Sequence, residues 1–159
     1  MKYRIGEGGN PVKGKKAAGI LFTDGHSMLL LKRAEGSHTG TWGLPGGHSK
    51  EGETEIGNAI RETKEETGLG SIPGYRFDEM SSRDGRKKFT TFLYRVGSQF
   101  DVDISEEHSD WGWVSLNSLD NKDLHPKLEE NLPRYLRCIR RKIRSFTEWA
   151  EYRGSPYAE

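Results

Sequence analysis

The sequence predicts a mixed α/β domain, and three observations carry that prediction. Short apolar or alternating runs are punctuated by Asp-Gly turns at Asp24-Gly25 and Asp84-Gly85. A glycine-rich loop leads into a stretch of helical spacing, Thr54 to Gly68. A second helical stretch lies near the end of the chain, over 129–152. At 159 residues the length suits one domain. The expected layout is an arm over 1–14, a single domain over 15–153 and a frayed tail over 154–159.

Taken in order, the arm holds a short candidate strand at Tyr3 to Ile5. Lys16 to Thr23 (KAAGILFT) reads as a buried strand, and Ser27 to Arg33 (SMLLLKR) as its return, buried on both faces. Ala34 to Thr41 is a loop. After the first helix, Tyr75 to Met80 and Lys87 to Val96 read as strands joined at Asp84-Gly85. Phe89, Thr91, Leu93 and Arg95 alternate with Thr90, Phe92, Tyr94 and Val96. Trp111 to Ser115 is a short strand, and Leu116 to Leu119 a turn of helix. In the last helix Pro133 falls near the start, where proline is tolerated, and Leu132, Tyr135, Leu136, Ile139, Ile143 and Phe146 trace a buried stripe.

Composition narrows the classes of function. Hydrophobic residues make up 32% and charged residues 31%, so the core is modest and the surface very polar. A net charge of +1 argues against a polyanion as main partner, which makes nucleic acid an unexpected one. Cys138 is the one cysteine, so no intrachain disulfide can form. That fits a reducing compartment and a cytoplasmic location. No apolar run reaches the roughly 18 residues of a membrane span, and Met1 to Asn10 does not read as a signal peptide.

The stretch Gly46 to Leu69 carries the chemistry. Thr54 is placed to cap the helix and Gly68 to end it in the left-handed conformation. At about 100° per residue, Ile56, Ala59, Ile60, Thr63 and Thr67 share one side. Glu62, Glu65 and Glu66 share an adjoining one. Like charges at this spacing repel, so the cluster makes sense around a cation. Hard oxygen ligands suit Mg²⁺, Mn²⁺ or Ca²⁺ rather than Zn²⁺. Arg61, one turn before Glu65, can pair with it. A solvated acidic face is the plainer explanation of such a run taken alone.

The whole stretch resembles the signature of the Nudix hydrolase family: Gly, five residues, Glu, seven residues, Arg-Glu-aliphatic-x-Glu-Glu-x-Gly-aliphatic. Gly47, Glu53, Arg61, Glu62, Glu65, Glu66, Gly68 and Leu69 fall in register. Thr63 departs from the first aliphatic position. Its shape matches Val, and its hydroxyl is expected to bond a backbone carbonyl one turn back. The preceding Trp42-Gly43-Leu44-Pro45-Gly46-Gly47 is similar to the family's Trp-x-Leu-Pro-Gly-Gly approach to that signature.

The resemblance implies an α/β/α sandwich with a mixed sheet. It implies a Mg²⁺-dependent nucleotide pyrophosphohydrolase, with Mn²⁺ as a substitute metal, that cleaves a phosphoanhydride in a nucleoside diphosphate linked to another moiety. A small nucleotide is then the partner, and the protein a monomer or homodimer. Glu62, Glu65 and Glu66 are the expected metal ligands, joined by the Gly47 carbonyl. Glu53 belongs to the metal shell or orients the ligands. Arg33 is expected against substrate phosphates. The general base is expected at Glu107, with Asp110 next and Glu53 after it. Asp110 is also carried as a substrate contact. Trp111 leads Trp113, Phe22 and Phe92 as a base-stacking candidate. His108 reads as a surface histidine. The basic run Arg134, Arg137, Arg140, Arg141, Lys142 and Arg144 reads as a solvated face; an RNA 5′-end pyrophosphohydrolase would use it otherwise. The competing functions are a non-catalytic nucleotide-binding module, which would ordinarily lose these glutamates, and isomerase chemistry, which would need a cysteine near the signature.

Overall fold

A mixed seven-stranded sheet forms the centre of the molecule. The computed structural model describes residues 15–152, with side chains described through residue 142. The predicted arm, its strand at Tyr3 to Ile5 and the tail lie outside the described residues. The strands are β1 (Lys16–Thr23), β2 (Ser27–Arg33), β3 (Trp42–Gly43), β4 (Gly46–His48), β5 (Tyr75–Asp84), β6 (Lys87–Arg95) and β7 (His108–Ser115). Helix α1 (Glu55–Thr67) and helix α2 (Pro126–Tyr152) accompany them, with a 3₁₀ turn at Leu119–Asn121.

The sheet runs β3-β2-β1-β6-β5, with β4 paired to β1 and β7 to β2. β1 and β6 are parallel, and the other pairs are antiparallel. β1 and β2 meet only at Thr23↔Met28 and then diverge. The segment Trp42–His48 fills the gap: β3 pairs with β2 at Leu31↔Gly43, and β4 with β1 at Ala18↔Gly47. This split in the sheet is where the site forms.

Strand alternation sends side chains to two cores. Leu21, Met28, Leu30 and Leu93 pack with Leu128, Tyr135, Cys138 and Ile139 of α2. Ala18, Ile20, Leu29, Leu31 and Phe92 pack on the other face with Ala59 of α1. The result is the expected α/β/α sandwich. Among the described residues no helix is long and apolar enough to cross a membrane.

Several boundaries move. β5 runs on to Asp84, four residues past the predicted end. It pairs on one side only, so burial puts no apolar pattern on Ser81, Ser82 and Arg83. β7 starts at His108 rather than Trp111 because its ladder with β2 continues past Asp110, with a bulge opposite Lys32 and Arg33. The helical turn falls at Leu119–Asn121, past the predicted Leu116–Leu119. α2 begins at Pro126, three residues early, with proline where its missing N–H costs nothing. Pro133 is then interior and leaves the Glu129 carbonyl without its helical donor. Tyr135 and Ile139 are buried as the stripe predicts, Leu132 and Leu136 pack partly buried, and Ile143 and Phe146 lie beyond the described side chains.

Candidate active site

Local sequence sets helix α1. Thr54 Oγ1 accepts the Gly57 N–H at 3.0 Å, and Gly68 at φ 73° donates its N–H to the Lys64 carbonyl. Ala59, Thr63 and Thr67 face the core at 0–1% exposure. The Thr63 hydroxyl does not bond back as expected: Oγ1 is buried without a partner. The Thr63 carbonyl is instead taken from the other side, by Thr67 Oγ1 at 2.6 Å.

The packing of the helix separates its glutamates. Glu66 lies against the sheet, buried, and accepts the Gly46 N–H at 2.9 Å. Glu62 is half-buried beside Gly47. A Cβ on Gly47 would sit 2.5 Å from Glu62 Cδ, so only glycine lets this backbone approach the carboxylate. Glu65 points outward and meets Arg61 at 3.3 Å. Arg61 holds Glu53 more closely, with Nε to Oε2 at 2.7 Å and Nη2 to Oε1 at 3.1 Å. It also donates to Glu62 and to the His48 carbonyl, both at 3.1 Å. Arg61 therefore ties the loop, the helix and three carboxylates together.

A cavity of about 400 Å³ opens at the split between β1 and β2. One wall carries Glu62, Glu66 and Glu107 beside Gly46 and Gly47. Arg33, Lys87 and Lys127 line it as well, and its apolar lining is Leu31, Phe89, Leu128 and Tyr135. Arg33 donates Nε to the Ser37 carbonyl at 2.8 Å and, among the described residues, makes no ion pair. Lys87 likewise has no carboxylate partner among them, whereas Lys127 is held by Asp84 at 3.1 Å.

Electrostatics follow from burial. Burial, opposed by the Gly46 N–H and reinforced by the charges of Glu62 and Glu107, pushes the Glu66 carboxyl up to about 8. Burial raises Glu62 as well, against the pull of Arg61. The Arg61 hydrogen bond pulls Glu53 down to about 2 and so keeps it ionised. Buried Glu66 and half-buried Glu62, raised together, describe carboxylates short of positive charge. That shortage, an all-oxygen donor set and the bare Gly47 backbone fit a hard divalent cation. Among the described residues no three acidic, histidine or cysteine side chains already converge as a closed metal cage.

The structure thus brings Gly47, Glu62, Glu66, Glu107 and Arg33 to one cavity. Glu53, Glu65, Asp110 and Trp111 are not on its wall. Asp110 is exposed and accepts the N–H of Trp111. Trp111 and Trp113 pack with the α1-side core, Trp113 donating Nε1 to the Phe100 carbonyl. Phe22 and Phe92 are core residues as well. His108, read as a surface residue, opens β7 opposite Arg33 and lines the cavity. Its Nδ1 is buried without a partner, and burial together with Arg33 lowers its pKa.

Sequence reasoning missed His48, Lys87, Phe89, His125, Lys127 and Tyr135 as wall residues. The alternation of 89–96 grouped Phe89 with Thr91 and Leu93, the face that α2 covers. That was the available signal for Phe89 and Tyr135; nothing comparable marked His125.

The NUDIX domain family model matches residues 13–135. The rat bis(5′-nucleosyl)-tetraphosphatase (asymmetrical) is 34% identical over 99 residues, covering 57% of this chain and 65% of that protein. The nucleoside triphosphatase NudI of Escherichia coli O81 is 32% identical over 127 residues, covering 71% and 89%. The chain thus spans a little less than two thirds of the rat relative's length. A crystal structure of a Nudix hydrolase from M. smegmatis superposes with a TM-score of 0.69 at 25% identity, over 80% of this chain and 86% of that one.

Proposed function

The chain belongs to the Nudix family, and from that premise we propose that it is a Mg²⁺-dependent nucleotide pyrophosphohydrolase. The reaction is hydrolysis of a phosphoanhydride in a nucleoside diphosphate linked to another moiety, such as a further phosphate, a sugar or a second nucleotide. The names of the rat and E. coli relatives support this substrate class. The observation that carries the reading is one cavity lined by buried Glu66, half-buried Glu62 and two cations, Arg33 and Lys87, that make no ion pair among the described residues.

An anionic substrate cannot approach a carboxylate wall unaided. Glu62 and Glu66, with the Gly47 carbonyl, would hold the divalent cation. Such an ion neutralises phosphate charge and lowers the pKa of an attacking water. Arg33, anchored through Nε by Ser37, keeps its remaining N–H groups for phosphate oxygens. Glu107 stands on the carboxylate wall and is the base of this proposal, positioned to take the proton of the attacking water. Arg61 holds Glu53, Glu62 and the His48 carbonyl in register and so orients the ligands.

The test is a panel of nucleoside triphosphates, nucleotide sugars, dinucleoside polyphosphates and monophosphates, with Mg²⁺, Mn²⁺ or EDTA. Products should show cleavage between two phosphorus atoms, monophosphates should be inert, and EDTA should abolish turnover. Glu66→Gln should lower turnover about a hundredfold. Preferred hydrolysis of simple phosphate monoesters would overturn the reading.

A further inference from the structure

Arg33 is aimed by a loop, and the loop is fastened from behind. The segment 34–41 leaves β2 after Arg33 and returns to β3. Its base is closed by the Arg33 N–H on the Thr41 carbonyl and the Gly40 N–H on the Arg33 carbonyl, each at 2.9 Å. Inside it the Ser37 carbonyl accepts Arg33 Nε at 2.8 Å. The guanidinium is planar, so this one bond also fixes the direction of its remaining N–H groups.

The direction of the Ser37 carbonyl depends on the peptide that joins Ser37 to His38, and His38 φ is one of the two torsions flanking that peptide. Gly36 and Gly40 take φ 76° and 88°, as glycine readily does. His38 takes φ 57° and is the one non-glycine with a positive φ among the described residues. A Cβ is disfavoured there. A side chain held in such a conformation points to a contact that holds it. The contact is with His125: the ring centroids lie 4.8 Å apart with the planes at 68°, an edge-to-face pair. His125 is a fixed stop. Its N–H donates to the Trp42 carbonyl at 2.8 Å, its Nδ1 accepts the Lys127 N–H at 3.1 Å, and the Trp42 N–H reaches the Asp123 carbonyl at 2.8 Å. The links therefore run unbroken from the residue before α2, through two imidazole rings and one carbonyl, to the guanidinium that lines the cavity.

We propose that His38 is a positioning residue for Arg33: through its contact with His125 it holds the Ser37 carbonyl, and that carbonyl turns the guanidinium to the phosphates. The proposal rests on the phosphate role given to Arg33 above and extends it to the loop that bears it.

The experiment uses the full chain, isotope-labelled, and follows the Arg33 Nε–H resonance, identified by its loss in Arg33→Lys. In the parent its exchange with solvent should be slow, because the Ser37 carbonyl holds the proton. His38→Asn and His38→Gly both accept a positive φ and lack the ring. Each should speed the exchange at least about tenfold. His125→Asn removes the other ring, keeps an oxygen for the Lys127 N–H and should do the same. Joining it to His38→Asn should add nothing further. Pyrophosphate with Mg²⁺ is the binding probe. His38→Asn should weaken its binding about fivefold, the effect of freeing one long side chain. With Arg33→Ala already present, the same exchange should cost less than about twofold. Unchanged proton exchange in His38→Asn overturns the proposal, since the carbonyl would then keep its place without the ring. Faster exchange with unchanged binding overturns it too. So does a binding loss equally large in the Arg33→Ala background, which would put the effect of His38 elsewhere. If Arg33→Ala binds pyrophosphate as the parent does, the phosphate role of Arg33 falls and the proposal with it. The expected exchange and coupled binding in a protein that hydrolyses no phosphoanhydride would leave the proposal standing and overturn the hydrolase reading alone.

Discussion

Glu66→Gln in metal-free protein tests the electrostatics of the site without reference to turnover. Glu66 is 6% exposed, and one backbone N–H is its hydrogen-bond partner. Its pKa rises from 4.5 to about 8, chiefly through burial. The native state therefore holds a proton that the unfolded chain has already released. The contribution of Glu66 to stability is complete below 4.5 and is lost as pH rises through about 8. At about 1.4 kcal/mol per pH unit, that interval corresponds to roughly 5 kcal/mol. Relaxation and water entry leave about 2–4 kcal/mol of it in practice. Glutamine keeps an acceptor for the Gly46 N–H and has no charge to bury. In EDTA, the variant should match the parent near pH 4.5 and exceed it by about 2–4 kcal/mol at about pH 8.5. Urea unfolding followed by tryptophan fluorescence, across that range, measures the gap. Added Mg²⁺ should then stabilise the parent and leave the variant nearly unmoved. A gap that stays constant with pH, or a variant less stable than the parent at the alkaline end, refutes the reasoning.

Three further outcomes follow from single contacts. Gly47→Ala puts a methyl group 2.5 Å from Glu62 Cδ; kcat/KM should fall at least about tenfold and the Mg²⁺ requirement rise, and unchanged metal dependence would count against Glu62 as a ligand. Thr63→Val removes a buried hydroxyl that lacks a partner and should raise stability by about 1 kcal/mol in urea unfolding, with activity intact. Glu107→Gln should lower kcat by about a hundredfold while KM stays within about twofold; a change confined to KM would make Glu107 a binding residue instead of the base.

The sequence exposed α1 almost completely, because everything that defines that helix is local. Thr54 and Gly68 cap it through neighbours three and four residues away, and the burial of Ala59, Thr63 and Thr67 is a matter of helical angle. What the spacing could not settle was how the glutamates divide. Glu65 and Glu66 are adjacent in the sequence, yet one faces solvent and the other the Gly46 backbone. That division is set by where the sheet splits, which depends on β3 and β4 entering between β1 and β2. Trp111 misled for a related reason. Its ladder position opposite Leu31 gives it to the α1-side core, and an aromatic residue in a strand carries no mark of which neighbour it will meet.

The rest of the lining was illegible because its pieces come from distant parts of the chain. Lys87 and Phe89 arrive on β6 through its parallel pairing with β1, His125 from the residue before α2, and Tyr135 from α2 itself, which starts more than thirty residues later. These elements share a cavity only once α2 lies across the sheet. The local and the distant parts of the lining therefore obey different constraints. A metal ligand set tolerates little change, and one short segment of helix and loop can specify all of it. Recognition of the rest of a nucleotide needs only suitable groups at the right places, and several distant positions can supply them in many combinations. Likeness over residues 13–135 thus establishes the family and supports the hydrolytic chemistry without naming the nucleotide.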